Sequence, residues 1–324
     1  MTAQETRLLI TGGAGFIGSN LVEHFLTDER IKLIRILDDL SNGSLNNIRH
    51  VLNHPKVEFI EGDIRDYETC LQACDGIDKI SHQAALGSVP RSIQDPITST
   101  HVNILGTINL LHAAVKCGVE RVILAFSSST YGDSNELPKI EERIGNPLSP
   151  YAVTKSSIEQ FANVFGQAYG LHWVGLRYFN VFGPKQSPNN PYAAVIPIFA
   201  KAILNNSQLT INGDGKTSRD FTFVDNAVHM NDLALFSKNK DALNQVYNTA
   251  CGESISLNAL VGKLEELVGQ KAEVVHGPPR DGDVQHSLAS IDKARHYLGY
   301  RPQVAFEEGL KLTMAWYTQN LQDV

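Results

Sequence analysis

The sequence predicts an α/β fold, a doubly wound parallel sheet wrapped by helices on both faces, and three observations carry that reading. Short apolar runs alternate with stretches of helical period through the first half. A glycine-rich run, Thr11-Gly12-Gly13-Ala14-Gly15-Phe16-Ile17-Gly18, follows the first apolar run and opens a helical pattern. An acidic residue, Asp38, ends the second run, 20 positions after Gly18. Strands separated by helices are joined by crossovers, which produce a parallel sheet covered on both sides.

The expected strands, in order, are Leu8–Ile10, Leu33–Leu37, Val57–Ile60, Lys79–Ser81, Val122–Phe126 and Trp173–Arg177, each a short apolar run bounded by polar or turn-forming residues. Asn103 to Lys116 carries Leu105, Ile108, Leu111 and Val115 near a 3.6-residue spacing and stops at Gly118, which marks the clearest helix. After Asn180 the chain turns to loops rich in Pro, Asn and Gly, from Phe182-Gly183-Pro184 to Tyr192 and again at Asn212-Gly213-Asp214-Gly215. A substrate-binding portion is expected there. Val246–Asn248 reads as one more strand and Leu257–Val268 as an amphipathic helix.

Composition excludes several classes. With 324 residues, 42% hydrophobic and 19% charged, the chain buries a large core and is neither disordered nor membrane-like. No apolar run approaches the roughly 20 residues of a spanning helix, and Met1 to Arg7 lacks the apolar stretch of a signal peptide, so a cytoplasmic address is expected. A net charge of -7 argues against a general nucleic-acid or membrane-surface binder. Cys70, Cys74, Cys117 and Cys251 form no CxxC pair and no His-Cys cluster with zinc spacing. They are expected as reduced, buried thiols, and no metal is expected.

The chemistry begins at the glycine run. Glycines 12, 15 and 18 allow a tight turn and close backbone approach, so that a pyrophosphate can rest on the positive end of the following helix. Asp38 is placed to accept from ribose hydroxyls and to repel a 2'-phosphate, which selects NAD over NADP. Further on, Tyr151 and Lys155 stand four residues apart in Ser149-Pro150-Tyr151-Ala152-Val153-Thr154-Lys155, on one face of a helix. A phenol is a poor base at neutral pH, and an ammonium held close to it favours the phenolate. Tyr151 is the candidate proton acceptor for alcohol oxidation beside a nicotinamide.

On these motifs, together with Gly62-Asp63-Ile64-Arg65-Asp66, His82-Gln83-Ala84-Ala85, Asn103, Ser127 to Gly132, Leu176-Arg177-Tyr178-Phe179-Asn180 and Arg219-Asp220-Phe221, the chain resembles an extended short-chain dehydrogenase/reductase of the nucleotide-sugar epimerase and dehydratase group. The likeness runs from about Arg7 to Tyr317. It implies a Rossmann domain over 1–180, with 226–252 returning to it, and a smaller α/β substrate-binding domain over 181–225 and 253–324. It implies a cofactor site of Gly12, Gly15, Phe16, Ile17, Asp38, Asp63, Ile64, Gln83, Ala84, Ala85, Asn103, Tyr151, Lys155 and Tyr178. It also implies a homodimer paired through a four-helix interface of Asn103–Lys116 and Tyr151–Ala168. His82 and His101 are expected to be structural.

A dehydratase of this fold carries an Asp-Glu pair after the catalytic hydroxyl, where this chain has Ser128-Ser129. Without that acid and base, elimination lacks a catalyst, whereas C4 epimerisation needs only Ser127, Tyr151 and NAD. The triple serine and the run His82 to Ser92 resemble the 4-epimerases that act on N-acetylated UDP-hexosamines, bacterial surface-polysaccharide enzymes among them. By that resemblance Gly87 and Ser88 lie near the sugar, with Ser128 and Ser129 as alternatives to Ser127. Asn180, Arg219 and Arg280 hold the diphosphate, and Asp283 accepts from the uridine ribose. Ser287, with Ala194 and Val195, leaves room for a C2 acetamido group. Epimerisation of the matching uronic acid, UDP-glucose epimerisation and a non-catalytic NAD-binding regulator are the competing readings.

Overall fold

The computed structural model describes residues 5–189, 193–278 and 285–320. In chain order the strands are β1 (Thr6–Thr11), β2 (Ile31–Asp38), β3 (Val57–Glu61), β4 (Lys79–His82), β5 (Arg121–Ser127), β6 (His172–Tyr178), β7 (Val181–Phe182), β8 (Leu209–Asn212), β9 (Ser218–Arg219), β10 (Thr222–Phe223), β11 (Gln245–Thr249), β12 (Ile255–Ser256) and β13 (Val274–Gly277). The helices are α1 (Phe16–Leu26), α2 (Tyr67–Cys74), α3 (Val89–Gln94), α4 (Pro96–Thr100), α5 (Thr107–Cys117), α6 (Pro150–Tyr169), α7 (Val195–Leu204), α8 (Val224–Phe236), α9 (Leu257–Val268), α10 (Asp292–Leu298) and α11 (Phe306–Asn320).

Seven strands form one sheet in the order β11-β6-β5-β4-β1-β2-β3, parallel throughout. The alternating strand period assigns its two faces: Leu8 and Ile10 pack with Leu21, Val22 and Phe25 of α1, whereas Leu9 packs with α2 and α5 through Cys70, Cys74, Leu110 and Ala114. The expected helix at Asn103 differs in detail. His101–Gly106 forms a π-helical stretch before α5 begins at Thr107, and a Cβ on Gly106 would stand 2.6 Å from Ile64, so the wider turn is closely packed.

The chain leaves β1 toward β2 on one side and returns to β4 on the other. This reversal opens a crevice at the carboxyl ends of β1 and β4. Beyond it, β8 and β13 form a separate parallel pair, and Phe182, Phe221, Phe223 and Phe306 cluster at centroid separations of 5.6–6.2 Å, joining β7 and β10 to α11. The described residues contain no helix long and apolar enough to cross a membrane and no His/Cys/Asp/Glu group able to hold a metal.

Asp220 ties the second half together. Its buried carboxylate accepts from the backbone N–H groups of Cys251 at 3.0 Å and of Gly252 and Ala289 at 3.1 Å, and its carbonyl accepts from Asn180 Nδ2 at 3.0 Å. Two segments distant in sequence therefore share one carboxylate, and a third is held by the backbone carbonyl of the same residue. Asp220→Asn turns one accepting oxygen into a donor facing an N–H, and is expected to lower the unfolding free energy by about 2–3 kcal/mol, measured by urea denaturation.

Candidate functional site

The glycine turn is built for close approach. Gly12 has φ +67°, and a Cβ there would meet Ala84 N at 2.7 Å, while one on Gly18 would meet the Gly12 carbonyl at 2.1 Å. Gly15 precedes α1 with no side-chain cap, so the first N–H groups of the helix, at Phe16 and Ile17, face the crevice without a capping oxygen. Such an N-terminus favours an anion, and the cradle fits a dinucleotide pyrophosphate. Ala84 and Ala85 follow β4 beneath it.

Asp38 is buried and already braces the turn: its Oδ2 accepts from Ala14 N and its Oδ1 from Leu40 N, both at 2.9 Å. Burial lifts its carboxyl above the ordinary range, opposed by those N–H donors. Each oxygen keeps a lone pair for a ribose hydroxyl. Asp63 is clasped by Arg65, whose Nε donates to Oδ2 at 2.8 Å, and Ile64 is buried beside Gly106.

Under the crevice Gln83, Tyr178 and Asn231 interlock. The Tyr178 hydroxyl donates to Gln83 Oε1 at 3.2 Å and accepts from Asn231 Nδ2 at 2.7 Å, and burial pushes its phenol to about 12. Asn231 has no motif of its own, and the sequence reading missed it. The side-chain amide of Asn103 accepts from Leu86 N and donates to Leu86 O and to Thr154 Oγ1, at 2.8–3.1 Å, and so anchors the Leu86–Gly87 segment at the crevice. His82 is structural, bonded to Thr11 and Thr107.

Ser127, Tyr151 and Lys155 converge where β5 meets α6. Ser149 caps α6 by accepting from Ala152 N at 3.2 Å, with Pro150 at the first helical position. This cap sets the phenol of Tyr151 against the end of β5, in a hydrogen bond with Ser127. The ammonium expected to favour the phenolate stands near the ring without touching the phenol oxygen's hydrogen-bond partner, Ser127. Lys155 Nζ donates to the Ala125 carbonyl at 2.7 Å and lies 5.9 Å from the centre of the Tyr151 ring. Burial consequently dominates both groups: it raises the Tyr151 phenol, against the Ser127 bond, and lowers the Lys155 ammonium to about 8, against the attraction of Glu159.

Next to this trio lies a cavity of about 210 Å³, walled in part by Ser127, Ser128, Ser129, Asn180, Arg219 and Ser287. Five of the expected substrate residues therefore meet in one wall. Asn180 has φ +37°. Ser287 is buried, its N–H donating to the Ser218 carbonyl at 3.0 Å. Ser88 caps α3 at φ +125° beside exposed Gly87, and Val89 reaches the cavity. Ala194 and Val195 do not join the described wall. Ala194 is exposed, and Val195 packs into the core because the apolar face of α7 turns inward. Arg280 and Asp283 fall outside the described residues. Lys139, buried in the same wall, was not foreseen. In sequence it reads as one more surface charge, and only its position between Pro138 and Ile140 hints otherwise.

The scaffold is that of the short-chain dehydrogenases/reductases. A family model described as GDP-mannose 4,6 dehydratase matches residues 9–313. The UDP-glucose 4-epimerase of Mycolicibacterium smegmatis is 37% identical over 318 residues, covering 98% of this chain and 100% of that protein. Among solved structures, the UDP-N-acetylglucosamine 4-epimerase of Methanobrevibacter ruminantium, in complex with UDP-N-acetylmuramic acid, aligns with a TM-score of 0.92 at 36% identity over 98% of this chain and 99% of that one. The UDP-glucose 4-epimerase of Thermus thermophilus, in complex with NAD, aligns at 0.87 and 37% identity over 96% and 99%. The chain belongs to the GDP-mannose 4,6 dehydratase family.

A lysine whose native pKa is depressed releases its proton near 8, while the unfolded chain holds it to 10.5. The cost of burying the charge is therefore complete below about pH 8 and is relieved as pH rises. In nucleotide-stripped protein, the stability of wild type relative to Lys155→Met is expected to rise by up to about 3 kcal/mol between pH 8 and 10.5, read by denaturant unfolding across that range.

Proposed function

We propose that this chain is an NAD-dependent nucleotide-sugar 4-epimerase acting on UDP-N-acetylglucosamine and UDP-N-acetylgalactosamine. The observation that carries the reading is the cavity beside Tyr151, whose described wall holds serines and no carboxylate. A dehydratase requires an acid and a base at the sugar ring; here Ser128 and Ser129 occupy that part of the wall. The UDP-sugar 4-epimerases among the relatives support the same class.

Gly12, Gly15, Phe16, Ile17 and Asp38 hold the cofactor, with Asp63, Ile64, Gln83, Ala84, Ala85 and Tyr178 around it. NAD bound there supplies a reversible two-electron acceptor. Tyr151 Oη takes the proton of the sugar O4 and later returns it, and Ser127 Oγ, hydrogen-bonded to the phenol, orients that oxygen. Lys155 places positive charge under the site from its anchor on Ala125, favouring the ionised phenol across a short gap. Arg219 and Asn180 meet the diphosphate. Ser287 leaves space for the acetamido group. In domain terms, 1–180 with 226–252 carries the cofactor, and 181–225 with 253–324 carries the UDP-sugar.

The subunit is proposed to pair with a second copy. Val153, Phe161 and Val164 stay exposed along α6. Ile97 on α4 and Leu105 ahead of α5 are exposed too, on segments that pack against α6. So many exposed apolar side chains on adjoining helices suit an interface better than an isolated surface.

Turnover of purified enzyme with four UDP-sugars, the glucose, galactose and N-acetylated pairs, tests the activity. Tyr151→Phe is expected to lower kcat by about 10³-fold with folding unchanged by circular dichroism; unaltered turnover removes Tyr151 from the mechanism. Ser287→Tyr should lower kcat/KM for the N-acetylated pair at least about tenfold more than for the glucose pair, and equal losses would show that Ser287 does not select the acetamido group. Light scattering is expected to report a dimer mass that Val164→Glu reduces toward the monomer.

A further inference from the structure

The first turn of α6, which carries Tyr151, is held by a segment far from it in sequence. A helix begins with backbone N–H groups that have no partner inside it. In α6 Pro150 brings no N–H, and Ser149 Oγ accepts from Ala152 N at 3.2 Å. The N–H between them, that of Tyr151 itself, donates at 3.0 Å to the Oγ of Ser92, a fully buried residue of α3 that stands 59 positions earlier. The local cap thus leaves out the tyrosine, and Ser92 completes it.

The same hydroxyl makes a second bond. It donates to the Val89 carbonyl at 2.8 Å, and Val89 stands in the wall of the sugar cavity. At the other end of that lip, Asn103 holds Leu86 by both its N–H and its carbonyl, and donates to Thr154 Oγ1 at 3.1 Å. Thr154 Oγ1 in turn donates to the Tyr151 carbonyl at 2.8 Å. The peptide groups on both sides of Tyr151 are therefore joined to the two ends of the segment 86–89 in a closed circuit of hydrogen bonds. Between those ends Ser88 has φ +125°, a strained conformation that persists where the surrounding structure fixes it.

We propose that Ser92 is a positioning residue of the epimerase: its hydroxyl fixes the main chain of Tyr151 against the lip of the sugar cavity, and so sets where the phenol stands relative to the sugar. This rests on the nucleotide-sugar 4-epimerase reading above and adds a residue that acts through Tyr151. Ser92 is not part of the described cavity wall, so its hydroxyl works on the base and not on the substrate. Its removal takes the acceptor from a covered N–H and the donor from the Val89 carbonyl together. A displacement of about 1 Å at a reacting group can cost about 10²-fold in rate.

The experiment is a double-mutant cycle on the holoenzyme, with whichever of UDP-N-acetylglucosamine and UDP-glucose the wild type converts faster. Wild type, Ser92→Ala, Tyr151→Phe and the double variant are compared for kcat, KM, bound NAD and melting temperature. In Ser92→Ala, kcat is expected to fall at least about tenfold, with KM within about twofold of wild type and NAD content unchanged. In the Tyr151→Phe background the same substitution is expected to change kcat by no more than about twofold, because a residue that acts through the phenol has nothing left to act on. Equal losses in the two backgrounds overturn the inference, as does a fall explained by raised KM or lost NAD. Should Ser92→Ala not fold, Ser92→Cys, whose thiol is a weaker partner, runs the same cycle, with a smaller loss still confined to the tyrosine background. Wild type that converts a UDP-sugar no faster than Ser92→Ala does sinks this inference alone. Wild type that converts neither sugar overturns the proposed function and this inference together.

Discussion

The hydrogen bond from Lys155 to the Ala125 carbonyl is the constraint on which the candidate site turns. It joins the first turns of α6 to the last residues of β5 inside the protein, where an ammonium bonded to a backbone oxygen has few competing partners. Two residues further along β5 stands Ser127, and one helical turn back along α6 stands Tyr151. Fixing the lysine to the strand therefore fixes the separation of the phenol and the serine hydroxyl. The Ser149 cap and Pro150 set the axial position of the helix, and the Ala125 bond sets its depth.

That arrangement changes the electrostatic account of the pair. The lysine lies several ångströms from the phenol ring and spends a donor on the sheet, so it forms no ion pair with the phenol. Burial works against both charged forms.

Family membership and chemistry separate at a few side chains. The chain shares its scaffold with relatives named for epimerisation and for dehydration, and fold alone does not choose between them. In the proposed reading the choice falls on the wall after β5, where serines stand in place of the acid and base that elimination needs, and on the short side chain of Ser287. Asp220 holds the segments near Asn180 and Ser287 in place: the loops after β6 and β11 and the stretch of chain through Ala289 all donate to it.

Much of this was legible in the chain itself, because local rules wrote it. The strands at Leu8, Leu33, Val57, Lys79, Val122 and Trp173 follow from period and β-branched content, and the helix at Leu257–Val268 from its apolar stripe. The glycine turn is legible because only glycine tolerates the contacts at Gly12 and Gly18, and the tyrosine and lysine are paired by helical spacing. What the tertiary structure decided are relations between residues far apart in sequence. Asn103 spends its amide on Leu86 and Thr154, Asn231 supports Tyr178, Val195 turns into the core, and Lys139 is buried beside Ser287. No periodicity encodes such contacts: burial and hydrogen-bond satisfaction are set by whichever distant segments the fold brings together, so a lysine that reads as solvated charge becomes, once packed, a cation in the wall of a cavity.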